Sequence, residues 1–169
     1  MRARGRRRTR VCHDDPMAPD PLHISDVAVT VAAERQAAGD VYTALLGPAD
    51  PVTGRWAAGN GSIAVADGED AADGATAAFE VADLDAAAHL LARRGRPVTG
   101  QNGVRRIEAA PAVGITAAAG ARSGAPLLDH VVFTAGSVDE AIALFAGRLG
   151  ADLRLVRAFG DVHQVFFRT

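Results

Sequence analysis

The 169-residue chain has no lysine and only one cysteine, Cys12. A lone cysteine excludes an intrachain disulfide and a thiolate metal cluster. No apolar run approaches the ~20 residues a membrane-spanning helix needs, so no membrane partner is expected. Aromatic residues make up 5% of the chain, so alanine and valine must supply much of its core. Each small side chain buries little area, at roughly 25 cal/mol per Å², and the expected stability is modest. The chain also lacks the dinucleotide-binding glycine fingerprint, the phosphate-binding P-loop, the G-x-S-x-G nucleophile elbow and any C-x-x-C pair.

All 18 basic residues are arginine, which with abundant alanine and glycine points to a GC-rich, bacterial genome. Six of them fall in the first ten residues, which hold no acid, leaving twelve against all 20 acidic residues. The remainder is therefore acidic and unsuited to a nucleic-acid backbone. Residues 1–21 form a basic arm without hydrophobic periodicity. An export signal needs an apolar stretch after the arginines, and Val11–Pro21 supplies none. No aromatic residue interleaves with the arginines to stack on bases. The expectation is that translation naturally starts at Met17. Hydrophobic content of 49% and charge of 22% suit a globular protein, expected in the cytoplasm.

A unit recurs along the remainder: an apolar strand runs into a helix that ends on glycine. It spans Ile24–Gly47, Thr76–Gly95 and Leu128–Gly150, with starts 52 residues apart. Such self-similarity dictates architecture. In the first unit Val27, Val29 and Val31 alternate with small residues, predicting a strand. Ala38, Val41 and Leu45 predict a helical stripe, which Gly47 and Pro48 stop. Strands are expected near Val52–Ala57 and Ser62–Ala66. The second unit predicts a strand over Ala77–Val81 and a helix capped by Asp83 with Leu84, Ala88 and Leu91 on one side. Strands follow at Val104–Ala109 and Val113–Ala118. In the third unit a strand starts at Leu128, Ser137 and Glu140 form a capping box, and Val138, Ile142, Phe145 and Leu149 form the apolar stripe. Strands are expected at Leu153–Ala158 and Val162–Arg168.

The expected fold is α+β: two paired units over residues 22–120, a linker at 121–126, and a truncated further unit at 127–169. The third unit has no partner, so it must dock elsewhere, pair with a second copy as a homodimer, or stay partly unfolded; an open strand edge invites association.

Tandem β-α-β-β-β units, carried by "LDHVVFTAGSVDEAIALFAGRLGADL" (Leu128–Leu153), "AAFEVADLDAAAHLLARRGRPV" (Ala77–Val98) and "ISDVAVTV" (Ile24–Val31), resemble the vicinal oxygen chelate superfamily of glyoxalase I, bleomycin-resistance proteins and extradiol dioxygenases. The resemblance covers residues 22–169. It implies a cup-shaped sheet holding a divalent metal between His, Gln or Glu ligands, with open positions for two substrate oxygens. The first-strand ligand position falls on Asp26 in unit one, on Thr76 in unit two and on His130 in unit three. The last strand of unit two, Val113–Gly120, has no carboxylate. The resemblance thus implies a first domain without metal chemistry, and a divalent metal at His130 only if the second domain were complete. The chain is accordingly expected to be a fragment of a larger two-domain protein.

Read as residues, the candidates keep bland alternatives. A single histidine makes no metal site, so His130 reads first as a leftover strand residue and second as a metal ligand. Asp26 reads as a polar strand residue or as a ligand or base. Trp56, the only tryptophan, stacks on a ligand or fills the core. Arg105 and Arg106 point to opposite faces of a strand, so one of them, Arg106 as the ligand-binding candidate, can pair with an anionic substrate. His23, His89 and His163 read as surface residues. The leading expectation is a glyoxalase-like protein that binds a small, partly apolar molecule. The alternatives are a metal-dependent lyase or dioxygenase using His130, and an interaction protein that dimerises through its third unit.

Overall fold

The structure, a computed structural model, describes residues 20–67, 74–100, 103–119 and 124–169. Cys12, Met17 and nearly all of the basic arm lie outside these residues, as does much of the linker. The chain is α+β; the described residues form a mixed seven-stranded sheet, three helices and a separate hairpin.

Strand β1 (Ile24–Ala32) leads into helix α1 (Arg35–Leu46), followed by β2 (Trp56–Ala58) and β3 (Gly61–Ala66). Next come β4 (Thr76–Val81), α2 (Leu84–Arg93), β5 (Val98–Thr99), β6 (Val104–Ile107) and β7 (Ala110–Ala117). The sheet order is β2-β3-β1-β4-β7-β6-β5. β1 pairs in parallel with β3, and β4 in parallel with β7. The two leading strands meet antiparallel at the centre, with Thr30 opposite Thr76 and Val27 opposite Phe79.

Helix boundaries follow local chemistry. Glu34 caps α1 with both carboxylate oxygens, Asp83 caps α2 through Ala86 N at 2.9 Å, and Gly47 ends α1 at φ 83°. The strand expected from Val52 starts only at Trp56, because Asp50 Oδ1 accepts from the amides of Val52 and Thr53 and folds Pro51–Thr53 into a turn.

Residues alternate between faces along each strand. Val27, Phe79, Val81, Val113 and Ile115 face the helices and join Ala87 and Leu91 of α2 in one core. The helix α1 departs from its expected stripe: Val41 and Leu45 are exposed, while Ala38, Tyr42 and Leu46 are half-buried. Trp56 decides this, since Tyr42 packs on its ring at 5.6 Å.

The third unit is also rearranged. Leu128–Phe133 is assigned to no strand. Its start is held by a side chain: Asn60 donates to Leu128 O at 2.9 Å and accepts from Leu128 N at 2.7 Å. One amide thus takes both backbone bonds that a neighbouring strand would otherwise supply. Helix α3 (Val138–Ile142), capped by Ser137, continues as a π-helix over Ala143–Arg148. Phe145, Leu149 and Ala151 enter the core beside α2. β8 (Asp152–Phe159) and β9 (Val162–Arg168) form an antiparallel hairpin apart from the main sheet, and β8 is exposed along its whole length.

Candidate functional site

The face of the sheet turned away from the helices carries a cavity of about 180 Å³. Ala28 and Thr30 of β1 and Thr76 and Ala78 of β4 line its centre; Arg55 lines it from one side, and Gly100, Val104 and Arg106 from the other. Residues beside β2 and on β6 are separated by the whole middle of the sheet order, so a cavity shared by them requires the sheet to curl. The result is a cup with small side chains on its floor and a guanidinium on each wall.

Arg55 is half-buried and fixed. Its Nε donates to Ser62 Oγ at 2.9 Å, and one terminal nitrogen donates to Val29 O at 2.9 Å. Burial lowers its pKa from the usual arginine value, against the opposing field of Glu80. Glu80 is itself buried, and its carboxylate accepts from Ala119 N at 2.8 Å. Arg106 reaches the cup because β6 alternates. Its neighbour Arg105 takes the other face and pairs with Asp85 of α2 at 3.2 Å. Arg106 also donates to Pro111 O at 3.4 Å.

A second cleft of about 290 Å³ lies on the helix face, between the sheet and the third unit. Its apolar side includes Val27, Phe79, Phe133, Phe145 and Phe167, and its rim carries Asp26, Asp129 and His130. Asp26 lies within the irregular register between Ile24 and Val27, which takes it out of the alternation that points Ala28 and Thr30 into the cup. Asp26 and His130, far apart in sequence, therefore line the same cleft. His130 Nδ1 lies 2.9 Å from Asp129 Oδ2, and both side chains are largely solvent-exposed.

Trp56 packs beneath α1 rather than in the cup. Its ring is buried and its indole N–H donates to Thr43 Oγ1 at 3.0 Å. His23, His89 and His163 are exposed. Arg55 was not among the expected site residues; the expected strand Val52–Ala57 contains it, whereas the observed strand starts one residue later, at Trp56. Asn60 sits in the turn-prone Gly-Asn-Gly run between two expected strands, which gives no signal of a clamp.

The residues lining the cup do not fit a divalent metal: two guanidinium groups and two neutral hydroxyls repel or weakly ligate a cation. Around His130, and throughout the described residues, no group of three or more His, Cys, Asp or Glu side chains is arranged to hold a metal ion. No helix among the described residues is long and apolar enough to cross a membrane. Searched against protein-family models and against curated proteins, the sequence finds no match.

Proposed function

We propose that this chain is a glyoxalase-like protein of the vicinal oxygen chelate type, whose two tandem β-α-β-β-β units cradle a small molecule in the cup without metal chemistry. The observation that supports this reading most directly is the strand arrangement. In each unit the leading strand pairs in parallel with the last, and the two leading strands join antiparallel. That arrangement brings Thr30 and Thr76, and Ala28 and Ala78, side by side on one floor. Small floor residues leave room for a ligand, and polar groups converge from the walls, as small-molecule sites require.

Ligand-observed NMR with a fragment library tests the reading. Binders are expected for the native chain and are expected to be lost in Ala78→Leu, which fills the floor. Retention of the same binders by a folded Ala78→Leu protein, or an absence of binders, overturns it.

A second reading concerns the third unit, which we propose mediates homodimerisation. The hairpin exposes Leu155, Val156, Phe159, Val162 and Phe166, and its strand edges are unpaired among the described residues. Exposed apolar cross-strand pairs on open strands, Leu155 with Phe166 and Phe159 with Val162, mark an association surface. Sedimentation velocity across a wide concentration range is expected to show a monomer–dimer equilibrium that weakens in Phe159→Glu. A monomer at every concentration eliminates this reading. The lyase or dioxygenase alternative built on His130 has less support, because its imidazole faces Asp129 at an exposed rim.

A further inference from the structure

We propose that the cup's ligand is a small organic carboxylate, gripped between Arg55 and Arg106 with its apolar body against Ala28, Ala78 and Val104. The inference rests on the small-molecule reading above and specifies the chemistry that the site selects.

Charge is the first argument. Beyond its first ten residues the chain holds twelve arginines against 20 acidic residues, yet two arginines and no acid line this cavity. The local sign is opposite to that of the surrounding protein. A cleft lined by one sign concentrates the opposite charge.

Preorganisation is the second. Arg55 is held by Ser62 and Val29, so its guanidinium loses little freedom on meeting a ligand. A planar fork presented in a fixed direction matches the two oxygens of a carboxylate. Burial has already removed much of its water, and an incoming anion supplies the missing stabilisation of its charge. The buried Glu80 contributes a nearby negative field, but its carboxylate is turned to Ala119 N and does not line the cavity.

The floor supplies the third argument. Thr30 and Thr76 lie directly opposite each other and offer hydroxyl donors, while Ala28, Ala78 and Val104 present methyl groups. Bare phosphate has no apolar portion to occupy that half of the cavity. A carboxylate on a short hydrocarbon or aromatic body uses both halves.

Isothermal titration of the full chain with butyrate, succinate and benzoate, with the corresponding amides, and with inorganic phosphate tests the inference. At least one carboxylate is expected to bind, and its amide at least about tenfold more weakly. Arg106→Gln is expected to weaken the carboxylate by about tenfold, and Arg106→Lys by less, since lysine keeps the charge but not the fork. Because Arg55 ties strands together and Arg106 donates to Pro111 O, the thermal unfolding of each variant is read beside its affinity, so that lost binding is separated from lost folding. Equal binding of acid and amide overturns the carboxylate assignment while leaving the small-molecule cup standing. Tighter binding of phosphate than of every carboxylate, or unchanged affinity in Arg106→Gln, also overturns it. Failure of all these compounds together with the fragment library removes both readings.

Discussion

Phe145 of the third unit meets Phe79 of β4 edge-on, with ring centroids 6.3 Å apart and planes inclined at 85°. The positive edge of one ring faces the negative face of the other, a favoured aromatic geometry. Phe133 and Phe167 each approach Phe145 at 5.2 Å. One ring thus gathers the beginning, middle and end of the third unit onto the sheet.

Phe145→Ala is therefore expected to cost about 3 kcal/mol, the order found when a buried phenylalanine is truncated. It should also release the β8–β9 hairpin to protease before the sheet unfolds. Urea denaturation and limited proteolysis measure the two effects. Unchanged stability with an equally protected hairpin contradicts the role given to this ring.

Thr43→Val removes the acceptor of the Trp56 indole N–H while keeping the shape of the side chain. The expected loss is on the order of 1 kcal/mol, because a part-buried donor is left unsatisfied. Trp56 is the only tryptophan, so its emission maximum reports the change directly. A native spectrum and native stability in this variant count against the bond.

Glu34 accepts from Ala37 N at 2.7 Å and Gln36 N at 2.8 Å, and these two bonds hold its carboxyl below the usual glutamate pKa. A depressed folded pKa means the cap is fully effective above the ordinary value, about 4.3, and is lost as pH falls through the lower folded one. The amide resonances of Gln36 and Ala37 should therefore titrate together below that ordinary value. Glu34→Gln should abolish the titration. A midpoint at or above the ordinary value is inconsistent with the cap.

Gly61 and Gly103 separate two reasons for glycine. At Gly61 (φ 154°) an added Cβ would collide with the carbonyl oxygen of Val27 on the paired strand. At Gly103 (φ 82°) the space is open and only the backbone conformation is unfavourable. Gly103→Ala should cost about 1 kcal/mol. Gly61→Ala should cost about 3 kcal/mol, since the β1–β3 pairing must open. Thermal unfolding orders them, and equal costs contradict the steric account.

Local signals read most reliably where one residue type acts on its immediate neighbours. Gly47, Asp83 and Ser137 mark their helix ends because each cap involves residues within a few positions. The stripe ending in Phe145 and Leu149 was legible for the same reason: helical spacing places both on one side, and both are buried. The stripe on α1 was not. Val41 and Leu45 have the right period, but Trp56, arriving from β2, draws Tyr42 inward instead.

Of the site candidates, Arg106 was legible as one of two residues on opposite strand faces. Which of the two enters the cup is set by the register of β6 on β7, with Arg105 opposite Ile115 and Arg106 opposite Gly114. Arg55 fell inside an expected strand and was not legible as a site residue, because its position is acquired from Ser62 and Val29. The expected strand at Leu128 gave way to a side-chain clamp by Asn60, 68 residues away in sequence.

By itself the sequence determined the α+β alternation, the helix stops and the strand-into-helix start of the first two units, since these rest on spacing and on residues adjacent in the chain. Tertiary structure alone decided that two arginines share a cavity, that Trp56 fills the core, and that Asp26 lines a cleft with His130. Those outcomes depend on strand order, sheet curvature and one irregular register. All three are set by packing between residues that the chain keeps far apart.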